Sequence, residues 1–360
     1  MKKYEGIELV EKLCALFGPS GFEDEVTEFI AEQIKDVCDS ISKDRLGNVI
    51  AKISCNKPEA KKLMLSAHMD EVGFMVNEIT DDGYLKFDTL GGIDRSVLCG
   101  KTVTIGDETK KINGIITSVA IHHKKKDERL NVTPLKSMYI DIGASTKEEA
   151  KQEADVGSFG TFASEFVHFG AEDCKIKGKA IDDRLGCAVM IETAREAYMN
   201  RASLTADLYL CFTVREEIGL SGARVAAQTL CPDFAIVLET TAVADIAGVP
   251  ENSRVAIQGK GGAISLMDRS TIYDREFVDE ALRVAKKADI PVQIKKYVSG
   301  GNDASHIHKS GVGVRTLALS APTRYLHSPA CVVDVNDYFS IVSLVKELVK
   351  SDFFANDERN

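Results

Sequence analysis

At 360 residues, with 44% hydrophobic and 28% charged side chains, the chain has an ordinary globular composition and enough length for two domains. A net charge of −10 and an isoelectric point near 5.4 exclude a protein whose chief partner is nucleic acid, because phosphate binding needs a clustered cationic surface. The one basic run, Lys124-Lys125-Lys126, runs straight into Asp127 and Glu128 and reads as a solvated loop. The nine cysteines are scattered without a Cys-x-x-Cys pair, and Cys14, Cys187, Cys211 and Cys331 lie in apolar segments. They read as small core residues in a reducing compartment. Glu8 and Glu11 interrupt the apolar positions of the N-terminal segment, which removes an uncharged signal-peptide core. No stretch is apolar enough for a membrane span. The expectation is a cytoplasmic protein with no membrane or nucleic-acid partner.

In chain order, the spacing predicts a helix over residues 4–16, the breaker Gly18-Pro19-Ser20-Gly21, and a second helix opened by Glu23-Asp24-Glu25. Strands follow at Asn48–Ile53 and at the uncharged run 63–67, which leads into His68-Met69-Asp70. From about Val72 to Glu165 the pattern turns to short alternating β segments with Gly and Asp turns, as expected of a small β-rich domain inserted in a larger one. Beyond it, helices at 183–198, 221–229 and 275–288 alternate with strands at 207–214, 234–238 and 314–319, and a helix over 335–350 closes the chain. That alternation predicts an α/β fold, a doubly wound and mainly parallel sheet covered on both faces, spanning residues 1–70 and 166–360, with a small β-barrel-like insert at 71–165.

Candidate metal-binding residues stand beside these elements. His68, Glu216-Glu217 and Glu239 follow strands, Asp182 opens a helix, and His327 lies in a Pro-rich loop. In open α/β sheets ligands bind beyond the carboxyl ends of strands, so such positions converge. Each has a plainer reading. A single His after a strand is more often a hydrogen-bonded structural residue, although Asp70 two positions on offers a carboxylate for its other ring nitrogen. Asp182 reads equally as a helix N-cap. Glu216-Glu217 reads equally as a solvated turn, but adjacent carboxylates after an uncharged strand repel unless a cation lies between them. Glu239 ends the apolar run FAIVL, where an uncompensated carboxylate is costly. His122-His123, in a charged loop, reads as surface. Two His and three carboxylates together suit a carboxylate-bridged pair of divalent ions, with a further Glu left to take a proton from water.

The segments AHMDEVGF (67–74), KAIDDRLGCAV (179–189), VREEIGLSGA (214–223), VLETT (237–241), GGNDASHIH (300–308) and PTRYLHSP (322–329) occur in the order and spacing of the tetrahedral aminopeptidases, the glutamyl aminopeptidase family of dinuclear metallopeptidases. The chain resembles that family over nearly its whole length, and DIGASTKEEA (141–150) is similar to the family's linker out of its second domain. The resemblance implies that His68 and Glu239 hold one metal, Glu217 and His327 the other, and that Asp182 bridges them. It makes Glu216 the general base and Asp70 the carboxylate that orients His68. It further implies two divalent ions (zinc or cobalt, with manganese also suited), short peptides as substrates, and dimers that assemble into a tetrahedral dodecamer. Three positions depart from the family: Glu239 where Asp is common, Asn302 where Thr is common, and Ile121-His122-His123 in place of Pro-Pro-His.

The expected activity is hydrolysis of the N-terminal peptide bond of short peptides. Its rivals are a related carboxypeptidase or N-deacylase, whose sites use similar ligands, and the endoglucanase label carried by some relatives. The last is disfavoured by the absence of Trp, since sugar clefts present aromatic platforms.

Overall fold

A computed structural model describes residues 5–126, 128–298 and 300–356. The larger body is built on a mixed sheet of eleven strands. At its centre Lys62–His68 pairs in parallel with Asp207–Thr213 on one side and Phe234–Ala242 on the other, and Phe234–Ala242 pairs in parallel with Arg315–Arg324. Antiparallel strands flank this parallel centre, among them Val49–Ile53 on one side and Cys331–Asp334 on the other. The central strands read as continuous apolar runs because helices cover both faces: every residue from Leu63 to His68 is buried. Helix Ile181–Met199 is the most enclosed, which accounts for its weak amphipathic pattern in the sequence. Helix Arg275–Lys287 is set locally. Asp274 caps it by accepting from the Phe277 amide at 2.9 Å, and Lys286 and Lys287 stand in its last turn, where they favour the helix dipole.

Most boundaries fall within a residue or two of expectation. The first helix runs Glu5–Ala15, and residue 4 lies outside the described residues. Two strands run longer than expected. Phe234 continues to Ala242, so Glu239 sits inside a strand, and Arg315 continues to Arg324 through Pro322. Proline is tolerated there because its missing N–H faces a gap. On that edge of the strand, one antiparallel partner pairs up to Ser320 and the next begins at Thr323.

The inserted segment forms a closed antiparallel barrel of six strands between Gly73 and Phe162. Phe74 packs edge-on against Phe87 and Phe162, with ring centroids 5.4 and 5.0 Å apart, at the heart of a core separate from that of the sheet. Closure removes the exposed strand edges that such short segments would otherwise present. The barrel grows directly from the carboxyl end of the central strand, and the Gly91–Gly92 turn after its second strand, Leu85–Leu90, reaches Glu217 and His327 at that end of the sheet.

Candidate metal centre

The cleft arises where two central strands part. Pairing between Lys62–His68 and Phe234–Ala242 stops at Val237 and Ser66, although both strands continue. His68, the last residue of its strand, and Glu239 therefore face a common space, with His68 Nε2 3.6 Å from Glu239 Oε1. This is the crevice beyond the carboxyl ends of parallel strands in which α/β proteins place their ligands.

Asp182 enters from the start of the enclosed helix. Its backbone and that of Asp183 are non-helical, and a cis peptide bond joins them. The helix start is served by Asp183, whose Oδ1 accepts from the Gly186 amide at 3.1 Å. The capping alternative thus belongs to Asp183, and the Asp182 carboxylate is left for the cleft. Its two oxygens reach in opposite directions: Oδ1 lies 3.3 Å from His68 Nε2, and Oδ2 lies 3.3 Å from His327 Nε2. Glu217 Oε2 lies 3.4 Å from the same His327 nitrogen.

Both imidazoles are oriented by the backbone. His68 Nδ1 is 3.0 Å from the Asp70 carbonyl oxygen, and His327 Nδ1 is 2.8 Å from that of Gly92. A carbonyl only accepts, so each Nδ1 carries a proton and each Nε2 faces the acids, protonated while they are uncompensated and offering a lone pair once a cation takes that proton's place. Gly92 reaches His327 because its neighbour Gly91 adopts φ +85°, and a Cβ there would come within 2.8 Å of Val72 and 3.2 Å of Glu217.

The expected partner of His68 proves to be shared. The Asp70 carboxylate lies 3.5 Å from His68 Nδ1, farther than the Asp70 carbonyl, and its oxygens accept the backbone amides of Glu216 at 3.0 Å and Glu217 at 3.1 Å. Glu23 continues this brace by accepting the Arg215 amide at 3.1 Å. Two buried carboxylates therefore hold three consecutive amides of the turn that presents Glu216 and Glu217. Behind them Arg184, fully buried, donates to the carbonyls of Met69, Leu13 and Gly18, and Glu71 pairs with Lys179 at 2.5 Å.

Burial and crowding distort the ionisation of the cluster. Burial, with repulsion from Asp182, pushes Glu217 up to about 8 and Glu239 up to about 7. Glu216 is also raised, first by burial and then by the carboxylates of Glu239, Asp303 and Glu217. Burial opposes charge on His327, yet the Asp182 and Glu217 carboxylates lift it to about 9. Such a cluster is out of balance without positive charge. His68, Asp182 and Glu239 offer one set of converging ligand atoms, and Asp182, Glu217 and His327 a second that shares Asp182. The buried Asp182 Oδ1 has no hydrogen-bond partner despite its approach to His68, as suits an atom aimed at a metal ion. The residues present therefore fit a pair of divalent ions.

His122 and His123 lie exposed on a one-turn helix of the insert, among the surface residues. Sequence reasoning did not find Asp303, which accepts from the Thr213 hydroxyl at 2.7 Å beneath the cluster, although the GGND segment contains it. It also missed Asp268 and Lys295, which line the cavity beside the His and carboxylate cluster and carry no local signature.

Fold and ligand set define the class first: an α/β enzyme whose imidazoles and carboxylates converge beyond the strand ends. The family model described as M42 glutamyl aminopeptidase matches residues 47–344. The chain belongs to that family and is a peptide hydrolase. A putative aminopeptidase of Acetivibrio thermocellus is 36% identical to it over 97% of this chain and 100% of its own. A TET aminopeptidase from Thaumarchaeota archaeon SCGC AB-539-E09 is 34% identical, with a TM-score of 0.92 over 97% of both chains. The TET1 peptidase of Pyrococcus horikoshii, described as able to assemble into a tetrahedron or a large octahedral shell, is 31% identical, with a TM-score of 0.84 over 96% of this chain and 99% of its own.

Proposed function

We propose that this chain is an aminopeptidase that removes the N-terminal residue of short peptides with the help of two divalent ions. The observation that carries the reading is the Asp182 carboxylate, whose oxygens each stand 3.3 Å from a different imidazole. In this reading His68 and Glu239 hold one ion, Glu217 and His327 the other, and Asp182 bridges them. Zinc and cobalt suit these nitrogen and oxygen ligands best, and manganese is also accepted. When bound, the ions lower the pKa of a water molecule and polarise the scissile carbonyl.

The protein's own groups do the rest. Glu216, held by its amide to Asp70, takes the proton of the attacking water and passes it to the leaving amine. Burial and the neighbouring carboxylates raise the affinity of Glu216 for a proton, which suits a group that must accept one and then return it. Asp70 keeps Glu216 and Glu217 in register by accepting both amides. The barrel turn at Gly92 sets the His327 ring.

Assembly belongs to the same proposal. Residues 71–165 act as a dimerising insert, and dimers build a tetrahedral dodecamer whose interior admits only unfolded peptides. Supporting this are the exposed apolar side chains Ile115, Val119, Ile121, Leu130 and Val132 on the insert, and the assembly described for the Pyrococcus horikoshii relative. A cytoplasmic location accords with nine unpaired cysteines, and no helix among the described residues is long and apolar enough to cross a membrane. The test is chelation followed by metal return, with aminoacyl p-nitroanilides assayed beside N-acyl amino acids. Loss and recovery of activity on the former alone supports the reading. Full turnover by a chain shown to be metal-free, or preference for N-acyl amino acids, overturns it.

A further inference from the structure

The breaker Gly18-Pro19-Ser20-Gly21 has no part in the proposed reaction, yet it lies where the sheet body and the barrel meet. The Ser20 amide donates to the Glu71 carbonyl at 3.1 Å and the Glu71 amide to that of Gly18 at 3.0 Å, which pairs the breaker with the crossover that follows His68 and Asp70. The Phe22 amide closes the turn on the Pro19 carbonyl at 2.8 Å, and Pro19 fixes its own φ. A segment held in this way moves as a unit.

Two of its side chains and its proline meet the barrel. The Phe22 ring stacks on that of Phe159 in the last barrel strand, with centroids 4.9 Å and planes 30° apart. Pro19 lies against Gly73, the first barrel residue, where a Cβ would come within 2.8 Å of the Pro19 Cβ and 2.5 Å of the Gly160 carbonyl oxygen. Glu25 pairs with Lys111 of the barrel, whose ammonium lies 5.0 Å from the centre of the Phe17 ring. Beside these contacts a cavity of about 360 Å³, with Cys14, Phe17, Thr104 and Phe162 in its walls, separates the barrel from helix Glu5–Ala15. The two bodies are not close-packed on this flank, so the contacts of the turn weigh heavily in setting the barrel's pose.

Glu23 serves the other body. It stands at the N-cap position of helix Asp24–Ile34, but its side chain makes no capping bond. Its Oε1 instead accepts the Gly21 amide at 2.7 Å and the Arg215 amide at 3.1 Å. Arg215 adopts φ +57°, a left-handed conformation that a residue with a Cβ keeps only under support, and Glu216 is the next residue. Successive side chains of one rigid segment thus hold different partners: Phe22 the barrel, Glu23 the turn that presents Glu216.

We infer that Phe22 is a positioning residue, which by stacking on Phe159 holds residues 17–25 so that Glu23 keeps the Arg215 amide, and with it Glu216, in place. The pose of the barrel thereby bears on Glu216 by a route separate from the Gly91–Gly92 turn. The kinetic arm of the test rests on the reading of Glu216 as the base; the structural arm does not. The experiment measures hydrogen exchange over residues 214–220 by mass spectrometry, and kcat and KM on aminoacyl p-nitroanilides at saturating metal. It compares metal-loaded wild type with Phe22→Leu, Phe159→Leu, Glu23→Ala and Glu23→Gln. The leucine variants keep apolar bulk but lose the stacked plane, and thermal unfolding verifies the fold of each. Phe159→Leu is expected to speed exchange over 214–220 by ~10-fold while the central strands keep wild-type rates. Its kcat should fall by ~10-fold with KM within about twofold, because a misplacement of about 1 Å costs on the order of 100-fold and the shift here is a fraction of that. Phe22→Leu should match it. Glu23→Ala should do at least as much, whereas Glu23→Gln, which retains the accepting oxygen, should stay within about threefold of wild type. Phe159→Leu added to Glu23→Ala should change neither readout by more than about a further twofold, since both act along one route. Wild-type exchange over 214–220 in Phe159→Leu, faster exchange spread equally over the central strands, or fully additive losses in the double variant overturns the inference. A wild type that hydrolyses no aminoacyl p-nitroanilide overturns the aminopeptidase reading by itself, and exchange over 214–220 still decides the role of Phe22.

Discussion

Replacing Asp70 with Asn tests the brace beneath the two glutamates. The Asp70 carboxylate accepts the amides of Glu216 and Glu217 at 3.0 and 3.1 Å from a fully buried position. An Asn oxygen can take one of those amides, but its NH2 group must then face the other, donor against donor. The variant loses one charge-assisted hydrogen bond, worth about 1.5–3 kcal/mol, and strands a backbone N–H at about 1–3 kcal/mol. A total of roughly 2–5 kcal/mol is expected once some relaxation of the turn is allowed. If half of it falls on the geometry of Glu216, turnover drops by ~5- to 70-fold. The rest should appear as a lower melting temperature. The assay is kcat at saturating metal, which separates misplacement of Glu216 from a weakened Glu217 ligand, with thermal unfolding measured alongside. Wild-type kcat with unchanged melting would show that the Asp70 carboxylate does not hold this turn.

Glu216→Gln keeps size and reach but removes the proposed base, so kcat should fall by roughly 10²- to 10⁴-fold with metal content unchanged, as mass spectrometry beside kinetics will show. Glu217→Gln should instead lose metal and regain part of its activity when ion is added; a fully metallated, unrescued variant would reverse the two assignments. Arg184→Met empties a buried site that donates to three backbone carbonyls and should cost about 3–5 kcal/mol by denaturant unfolding. A loss under 1 kcal/mol would remove Arg184 from the scaffold. Metal binding at pH 7 should release protons, because without metal Glu217 titrates at about 8 and His327 at about 9. Affinity should therefore rise as pH approaches 9, and calorimetry in buffers of differing ionisation enthalpy measures the protons released.

Much of the His and carboxylate cluster was legible because its members stand at visible breaks in the sequence. His68 and Glu216-Glu217 follow uncharged strands, and a polar residue at such a boundary stands out against its neighbours. What stayed hidden depends on backbone direction. Nothing in AHMDEV says that the His68 ring meets the Asp70 carbonyl more closely than its carboxylate, because the turn after the strand decides it. Likewise the two aspartates of IDDRLG look interchangeable, yet only Asp183 takes the helix-start role. The strand through Pro322 was unreadable from periodicity, since proline is tolerated there only because of where two other strands end and begin. Lys295 and Asp268 line one cavity with no pattern to link them, because that shared lining is a product of tertiary structure alone.

The central claim is a pair of metal sites sharing Asp182, and metal stoichiometry tests it most directly. The wild type, His68→Ala and His327→Ala should be purified, loaded with zinc or cobalt, dialysed, and analysed for bound metal by native mass spectrometry. The expected result is two ions per chain for the wild type and preferential loss of one in each variant, with retention of the ion held by the opposite imidazole. A fully active wild type that binds a single ion, or none, would contradict the shared centre.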